Sequence, residues 1–535
     1  MNDDCVGDAK PGPEKLSGIS QEDYRALPLS NIRPPVYASV SQEIIVLITL
    51  TFGAALATSN LGATQIALAH IGRSFDLEGA KLSWAISAFS LSAGSFVLLL
   101  AGVADTVGRK RMVLGSFIWY SLWCLIGGFM HSDIVFFVFR GFQGLAGAST
   151  IPAAIGILGA TYAPGQRRNK IMATYGAGAP LGFVIGIVVG GICSQFLSWR
   201  AIFWFFAIEY SLFAVIVYWL VPDDPAMSWS DTKRNLARLD FIGAALSTVS
   251  LVVFVFALTQ SGATSKGWGQ PYVIAMIVIG VVMFAVFVFW ESKATNPLMP
   301  LYIWRYPGFA LCMLIVACGY MNFLGVLNYY ITLFFQNVRG ASAILTTAYL
   351  IPQAVAGIIV NFICALTLHI IPGWILMTLA LLAFFAASLL WALQPMHMDY
   401  WPMAFPAICL SVVGADIAFN VANLHTVSAV PPKMQSTAAG IFNTVMQLAA
   451  AVGVAASATA VEAAYKYSDH TGAEQTYDSY KAAFWFGCGV SGVGIICSPF
   501  MNVGVAGRKQ FDKPDDADSV GAELAQPDEE NQIEK

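Results

Sequence analysis

Charge is scarce in this chain. Only 11% of its 535 residues are Asp, Glu, Lys or Arg, against about 25% in soluble domains, and 57% are hydrophobic. The mean hydropathy is +0.66. Too little polar side chain is present to clothe a soluble globule of this size. The nine cysteines form no CxxC pair, and eight of them lie in or beside apolar runs. They read as small packing residues rather than disulfides or ligands. No HExxH, GxSxG or Walker loop and no metal-ligand cluster occurs. These absences argue against an enzyme and against an ATP-driven pump. No metal, cofactor or nucleic acid is expected.

What is present is long and apolar. Leu82–Ala104 runs 23 residues without a charge, Met112–Met130 runs 19 and Ala482–Ala506 runs 25. A helix needs roughly 20 residues to cross hydrocarbon. Alternating short segments of the barrel kind are missing. The expected fold class is therefore all-α and polytopic, with fourteen spans centred near residues 56, 92, 121, 147, 182, 211, 249, 281, 321, 354, 382, 411, 448 and 493. One set of loops carries fifteen Lys and Arg and the opposite set seven. The richer side should be cytoplasmic, with both termini on it. The first span is expected to act as an uncleaved insertion signal.

The spans divide the chain. Residues 1–42 read as a disordered cytoplasmic N-terminus and 43–221 as a six-helix half. Residues 222–239 form a cytoplasmic linker, 240–290 two inserted spans and 291–307 a cytoplasmic loop. Residues 308–506 make a second six-helix half, and 507–535 an acidic, disordered cytoplasmic tail. A weak internal repeat supports the two halves: Leu82, Ala85, Ala93 and Gly94 match Leu345, Ala348, Ala356 and Gly357 at an offset of 263. Halves of this kind place a binding site near the midplane, where they meet.

Arg140 is the only charged residue between Asp133 and Arg167. A guanidinium in hydrocarbon costs at least about 2.5–3.5 kcal/mol, so it needs a polar interior or a partner. Its bland alternative is structural glue between helices. Two acids also lie deep in spans, Glu209 and Asp416; such carboxylates are functional candidates by default, or else fix helix contacts. Asn60, Gln65, Gln143, Asn322 and Asn328 are candidate cavity residues, with interhelical contact as the alternative. Gly178, Gly182, Gly186 and Gly190 recur every four residues and form one face for close helix packing, with Pro180 adding a bend.

Asp105, Gly108, Arg109 and Lys110 stand at a helix junction in AGVADTVGRKRMVL. This segment resembles the signature loop of the major facilitator superfamily. RGFQGLAGA, starting at Arg140, is similar to that superfamily's Arg-x-x-Gln-Gly-x-Gly-Ala element. The Gly178–Pro180 region partly matches its antiporter element, with Ala179 before the proline. LDFIGAAL, with Asp240 and Gly243, and the fourteen spans resemble the fourteen-span drug:proton antiporter family. NLGATQ, SWAISAFSLSAGSF and QNVRGASAIL resemble its fungal aminotriazole- and boron-resistance branch, which also includes low-affinity ammonium carriers.

The resemblance implies two six-helix halves plus two inserted spans, a gate at Asp105, Gly108, Arg109 and Lys110, and a link between Arg140 and proton coupling. Many relatives carry an aspartate where this chain has Asn60. An amide cannot titrate, so any proton carrier lies elsewhere, with Asp416 and Glu209 as the candidates. The expected function is proton-coupled efflux of a small toxic compound or metabolite by alternating access. The alternative is uptake or facilitative exchange of a small nutrient such as ammonium. The expected partners are a small solute, protons and the bilayer. A monomer is expected in the plasma membrane, with the vacuolar membrane as the alternative.

Overall fold

The computed structural model describes residues 33–501 except Glu78, 163–165, 225–228, 264–266 and 432–433. The expected tail at 507–535, most of that at 1–42 and part of the 222–239 linker lie outside the described residues. No strand occurs among the described residues. The long helices, numbered in chain order, are α1 (Val40–Phe75), α2 (Trp84–Val107), α3 (Arg109–Gly127), α4 (Asp133–Thr161), α5 (Gly178–Phe196), α6 (Trp199–Leu220), α7 (Phe241–Ala263) and α8 (Pro271–Glu291). There follow α9 (Phe309–Asn322), which runs on to Val338, α10 (Ala343–Thr367), α11 (Gly373–Leu393), α12 (Phe405–Ser428), α13 (Gln435–Lys466) and α14 (Ala473–Cys497).

Among the described residues, twelve helices are long and apolar enough to cross a membrane, or thirteen if α1, bent by 48° between Gly53 and Ala55, counts as one span. The helix outside that set is α3, whose first three residues are Arg109, Lys110 and Arg111. Fourteen spans are compatible with this arrangement.

Small residues decide which helices touch. A Cβ added at Gly182 would lie 2.6 Å from Ala55 Cβ, and one at Gly190 2.7 Å from the Ala63 carbonyl. Gly178 and Gly186 meet the Thr51 and Ser59 carbonyls in the same way. The glycine face of α5 thus lies flat along α1. Pro180 sits in the first turn of α5, where its missing N–H is tolerated. The chain breaks from the preceding short helix (Gln166–Gly176) at Ala177. The proline ring excludes the carbonyl four residues back, that of Gly176, which places the break there.

Within the second half, α9 is interrupted by two π turns, Phe323–Leu327 and Phe334–Val338. The first brings Gly325 against Gly453 of α13, where an added Cβ would lie 2.6 Å from Gly453 Cα. The halves meet along α2 with α13, α5 with α10 and α1 with α9. The pair α7–α8 packs mainly upon itself, and α7 covers the α2–α13 seam through Val255, Leu91, Ala451 and Ala455. Helix α8 is the most exposed, with only 17% of its most apolar stretch buried.

Candidate functional site

Arg140 is fully buried. Gly144 explains how it is placed: a Cβ there would lie 2.9 Å from Ser92 Cβ and would also strike the Phe89 carbonyl, so α2 and α4 approach backbone to backbone. One turn earlier on α4, Arg140 Nε donates to the Ala85 carbonyl at 2.8 Å. Nη1 donates to Gln143 Oε1 at 2.9 Å and to Asn60 Oδ1 of α1. Nη2 has no hydrogen-bond acceptor. The guanidinium lies 5.1 Å from the Phe89 ring centre and 6.0 Å from that of Phe203, and ring faces stabilise a desolvated cation. Asn60 also donates to the Tyr120 hydroxyl of α3, and Gln143 to the Trp123 carbonyl. Three of the sequence candidates therefore form one network, and none of its members is an acid.

Asp416 lies in the second half, on the interior helix α12. Its Oδ2 accepts from Asn361 Nδ2 of α10 at 2.9 Å. Asn361 Oδ1 accepts from Asn420 Nδ2 at 2.9 Å, and Asn420 also donates to the Asp416 carbonyl. Because Asn420 occupies the Asn361 oxygen, the amide of Asn361 must turn its N–H toward the carboxylate. Gly357 leaves the room: a Cβ there would lie 3.0 Å from Asp416 Oδ2. Asp416, Asn420 and Asn423 recur at helical spacing on α12 and are all half-buried. A stripe this polar is unsuited to lipid and fits a wetted interior.

Glu209 joins neither group. It is half-buried on α6, makes no hydrogen bond, and neighbours the exposed row Phe205, Ile208 and Leu212. Asn322 is fully buried in a closed seam, donating to Ser388 of α11 and Ser491 of α14, both at 2.8 Å. Its pseudo-symmetric counterpart Asn60 likewise joins the first helix of its half to the third. Gln65 and Asn328 do meet across the halves. Gln65 Nε2 donates to the Asn328 carbonyl and to Thr332 Oγ1 at 2.9 Å. Gln336 Nε2 reaches the Ile66 carbonyl at 2.9 Å, and Thr347 of α10 the Ile187 carbonyl at 3.0 Å. Gln353 donates to Asn328 Oδ1 at 3.0 Å, which leaves the buried Asn328 Nδ2 unpartnered.

At the α2–α3 junction, Gly108 has φ +111°, a conformation L side chains rarely adopt. It caps α3 without a side chain. The cap comes from the start of the linker: Asp224 Oδ2 accepts from the Lys110 N–H at 2.8 Å. Lys110 Nζ pairs with Asp223 at 2.8 Å, and Arg109 binds Asp105 at 2.9 Å and the Gly156 carbonyl at 2.8 Å. Among the described residues, these contacts join the first half to the start of the linker that follows it. Asp224→Ala should lower stability by about 1 kcal/mol, as loss of an N-cap does, read as a lower Tm of the purified protein. The hydrogen bond and charge of Lys110 hold the Asp223 carboxyl below the usual carboxylate range. That contribution is present above the unfolded carboxylate pKa and is lost as pH falls through the folded value. It is small, because the pair is exposed and screened.

Sequence reasoning missed Asn361, Asn420, Asp223, Asp224 and Tyr120. For Asn420 a signal existed, its four-residue spacing from Asp416. For Asp224, 114 residues from Lys110, none did.

Residues 50–454 match the family model described as Major Facilitator Superfamily. The chain belongs to the major facilitator superfamily. It is 32% identical over 441 residues to a low affinity ammonium transporter of Saccharomyces cerevisiae, covering 82% of this chain and 84% of that protein. It is 28% identical to the efflux pump terJ of Aspergillus terreus, covering 86% and 88%. It is 25% identical to the aminotriazole resistance protein of S. cerevisiae, covering 87% and 85%. The fold resembles a crystal structure of the peptide transporter POT with alafosfalin, with a TM-score of 0.62 and 14% identity over 91% of this chain and 100% of the other. This superfamily member is thus a multi-pass membrane protein whose relatives move solutes, and transport is its function.

Proposed function

We propose that this transporter is a proton-coupled exporter of a small toxic compound or metabolite, and that Asp416 carries the proton. The observation that carries this reading is the one-sided bonding of Asp416. Oδ2 takes the Asn361 N–H, whereas Oδ1 accepts no hydrogen bond and is not among the enclosed unpartnered atoms. A proton has one place to land. Arg140 has no acid beside it, because Asn60 offers an amide. Its role is to tie α1, α2 and α4 into a rigid unit, with its charge biasing the first half.

Alternating access supplies the cycle. The links between halves at Gln65, Gln336 and Thr347 stand on the side that loop charge assigns to the exterior. They support a state closed to the outside, with the stripe Asp416, Asn420 and Asn423 leading to the cytoplasm. The transporter then has fourteen spans in two six-helix halves with α7–α8 inserted, both termini cytoplasmic, and the plasma membrane as its site. Glu209, beside a lipid-facing row, is assigned no proton. The efflux-pump and aminotriazole-resistance relatives support export. The ammonium transporter, at 32% identity, favours a second reading, facilitative movement of a small nutrient.

Solute flux in proteoliposomes with and without an imposed pH gradient tests the choice. Uphill movement driven by the gradient is the expected result. Equilibration indifferent to the gradient would establish the facilitative reading instead.

A further inference from the structure

The Asp240–Gly243 segment that opens the inserted spans has no part in the transport site, yet it builds a site of its own. Asp240 precedes α7 and Glu291 ends α8, so both lie at one end of the inserted hairpin. Both are at least nine-tenths buried, at 9% and 3% exposure. Gly243 separates them: a Cβ on it would lie 2.9 Å from Asp240 Cγ and 3.0 Å from Glu291 Oε1, which bounds the gap between these atoms at about 6 Å.

Three N–H groups face this pair. Asp240 Oδ1 accepts from Gly243 N at 2.7 Å and from the Trp290 indole at 2.9 Å, and Oδ2 takes a second, longer share of the indole at 3.0 Å. Glu291 Oε2 accepts from Met299 N at 3.2 Å. Glu291 Oε1 is buried with no partner. Neither acid forms an ion pair with Lys, Arg or His among the described residues. Among the described residues, the charged group that acts on Glu291 is Asp240. Two carboxylate charges this near each other in a medium of low polarisability repel, and an unpartnered carboxylate oxygen is costly.

We infer that Asp240 and Glu291 share one proton, held on Glu291 Oε1 and directed at Asp240 Oδ2. The proton comes from bulk water, and its binding converts two repelling anions into one carboxyl–carboxylate hydrogen bond. A metal ion suits the site less well, since a hard cation needs six or more oxygens and the other two carboxylate oxygens already accept N–H groups. The bond joins the first turn of α7 to the last turn of α8. Leu239, next to Asp240, lies against Gly102 of α2, so the bond pins the hairpin where it meets the first half. Loss of the proton sets the two anions against each other and loosens that end. The pair is separate from Asp416 and stands whichever way the solute moves.

The test uses full-length protein in nanodiscs. Infrared difference spectra should show a protonated-carboxyl band at neutral pH that Glu291→Gln removes and Asp416→Asn does not. The Tm of the wild type should fall as pH rises through neutrality. The Tm of Glu291→Gln, whose amide N–H replaces the shared proton, should be flat over the same range. Asp240→Asn should also remove the band and flatten the Tm. A band untouched by both substitutions, or a wild-type Tm as flat as that of Glu291→Gln, would overturn the proposal. So would a wild type stabilised by added magnesium or calcium, with Glu291→Gln losing that response.

Discussion

Asp416→Asn is expected to stop gradient-driven transport while leaving solute-for-solute exchange. The substitution keeps an oxygen for the Asn361 N–H, so the α10–α12 contact survives. What disappears is the group that gains and loses a proton. Removing a proton-transfer residue typically costs 10²–10⁴-fold, and a fall of at least about 10²-fold in uphill flux is expected here. Exchange of labelled for unlabelled solute at equal pH requires only binding and rocking, so it should continue. Reconstituted vesicles give both rates from one preparation. Uphill flux equal to that of wild type would remove Asp416 from the mechanism.

Arg140→Ala is expected to abolish transport and to lower stability by an amount the fold survives. Truncation strands the Ala85 carbonyl, Asn60 Oδ1 and Gln143 Oε1. Interhelical hydrogen bonds in membranes average about 0.6 kcal/mol, so the two to Ala85 and Asn60 together contribute about 1 kcal/mol. Loss of the contact with Phe89 adds to this. The protein should still reach the membrane, with a lower Tm in detergent and background-level flux. Arg140→Lys keeps the charge, but a single ammonium cannot span acceptors on α1, α2 and α4 as the planar fork does. Partial flux is expected from it. If Arg140→Ala transported as well as wild type at equal surface level, Arg140 would be glue alone.

The sequence was informative where one residue sets the chemistry by itself. Among the described residues, long helices stand near the expected centres, twelve or thirteen of them long and apolar enough to cross a membrane, because hydrocarbon thickness fixes the length of each apolar run. The glycine face of α5 could be read from a four-residue spacing, because a helix carries that spacing on one side. The membrane fold and the superfamily followed from such local signals.

Which polar residues share a network did not follow, because the partners lie on different helices. Asn60 and Arg140 come together from 80 residues apart in the chain, whereas Asn322, of the same type and depth as Asn60, closes into a seam of serines. The partners of the Gly108 junction did not follow either: Asp223 and Asp224, which hold Lys110, come from the linker more than a hundred residues away.

The sequence alone determined that this chain must span a bilayer as helices, since buried backbone there has to satisfy its own hydrogen bonds, and that the amide Asn60 in the first span cannot titrate. Only the tertiary structure decided that Asp416 is bonded on one side and that Asp240 and Glu291 face each other. Both depend on how closely separate helices approach, and glycines 357 and 243 set that distance by having no side chain.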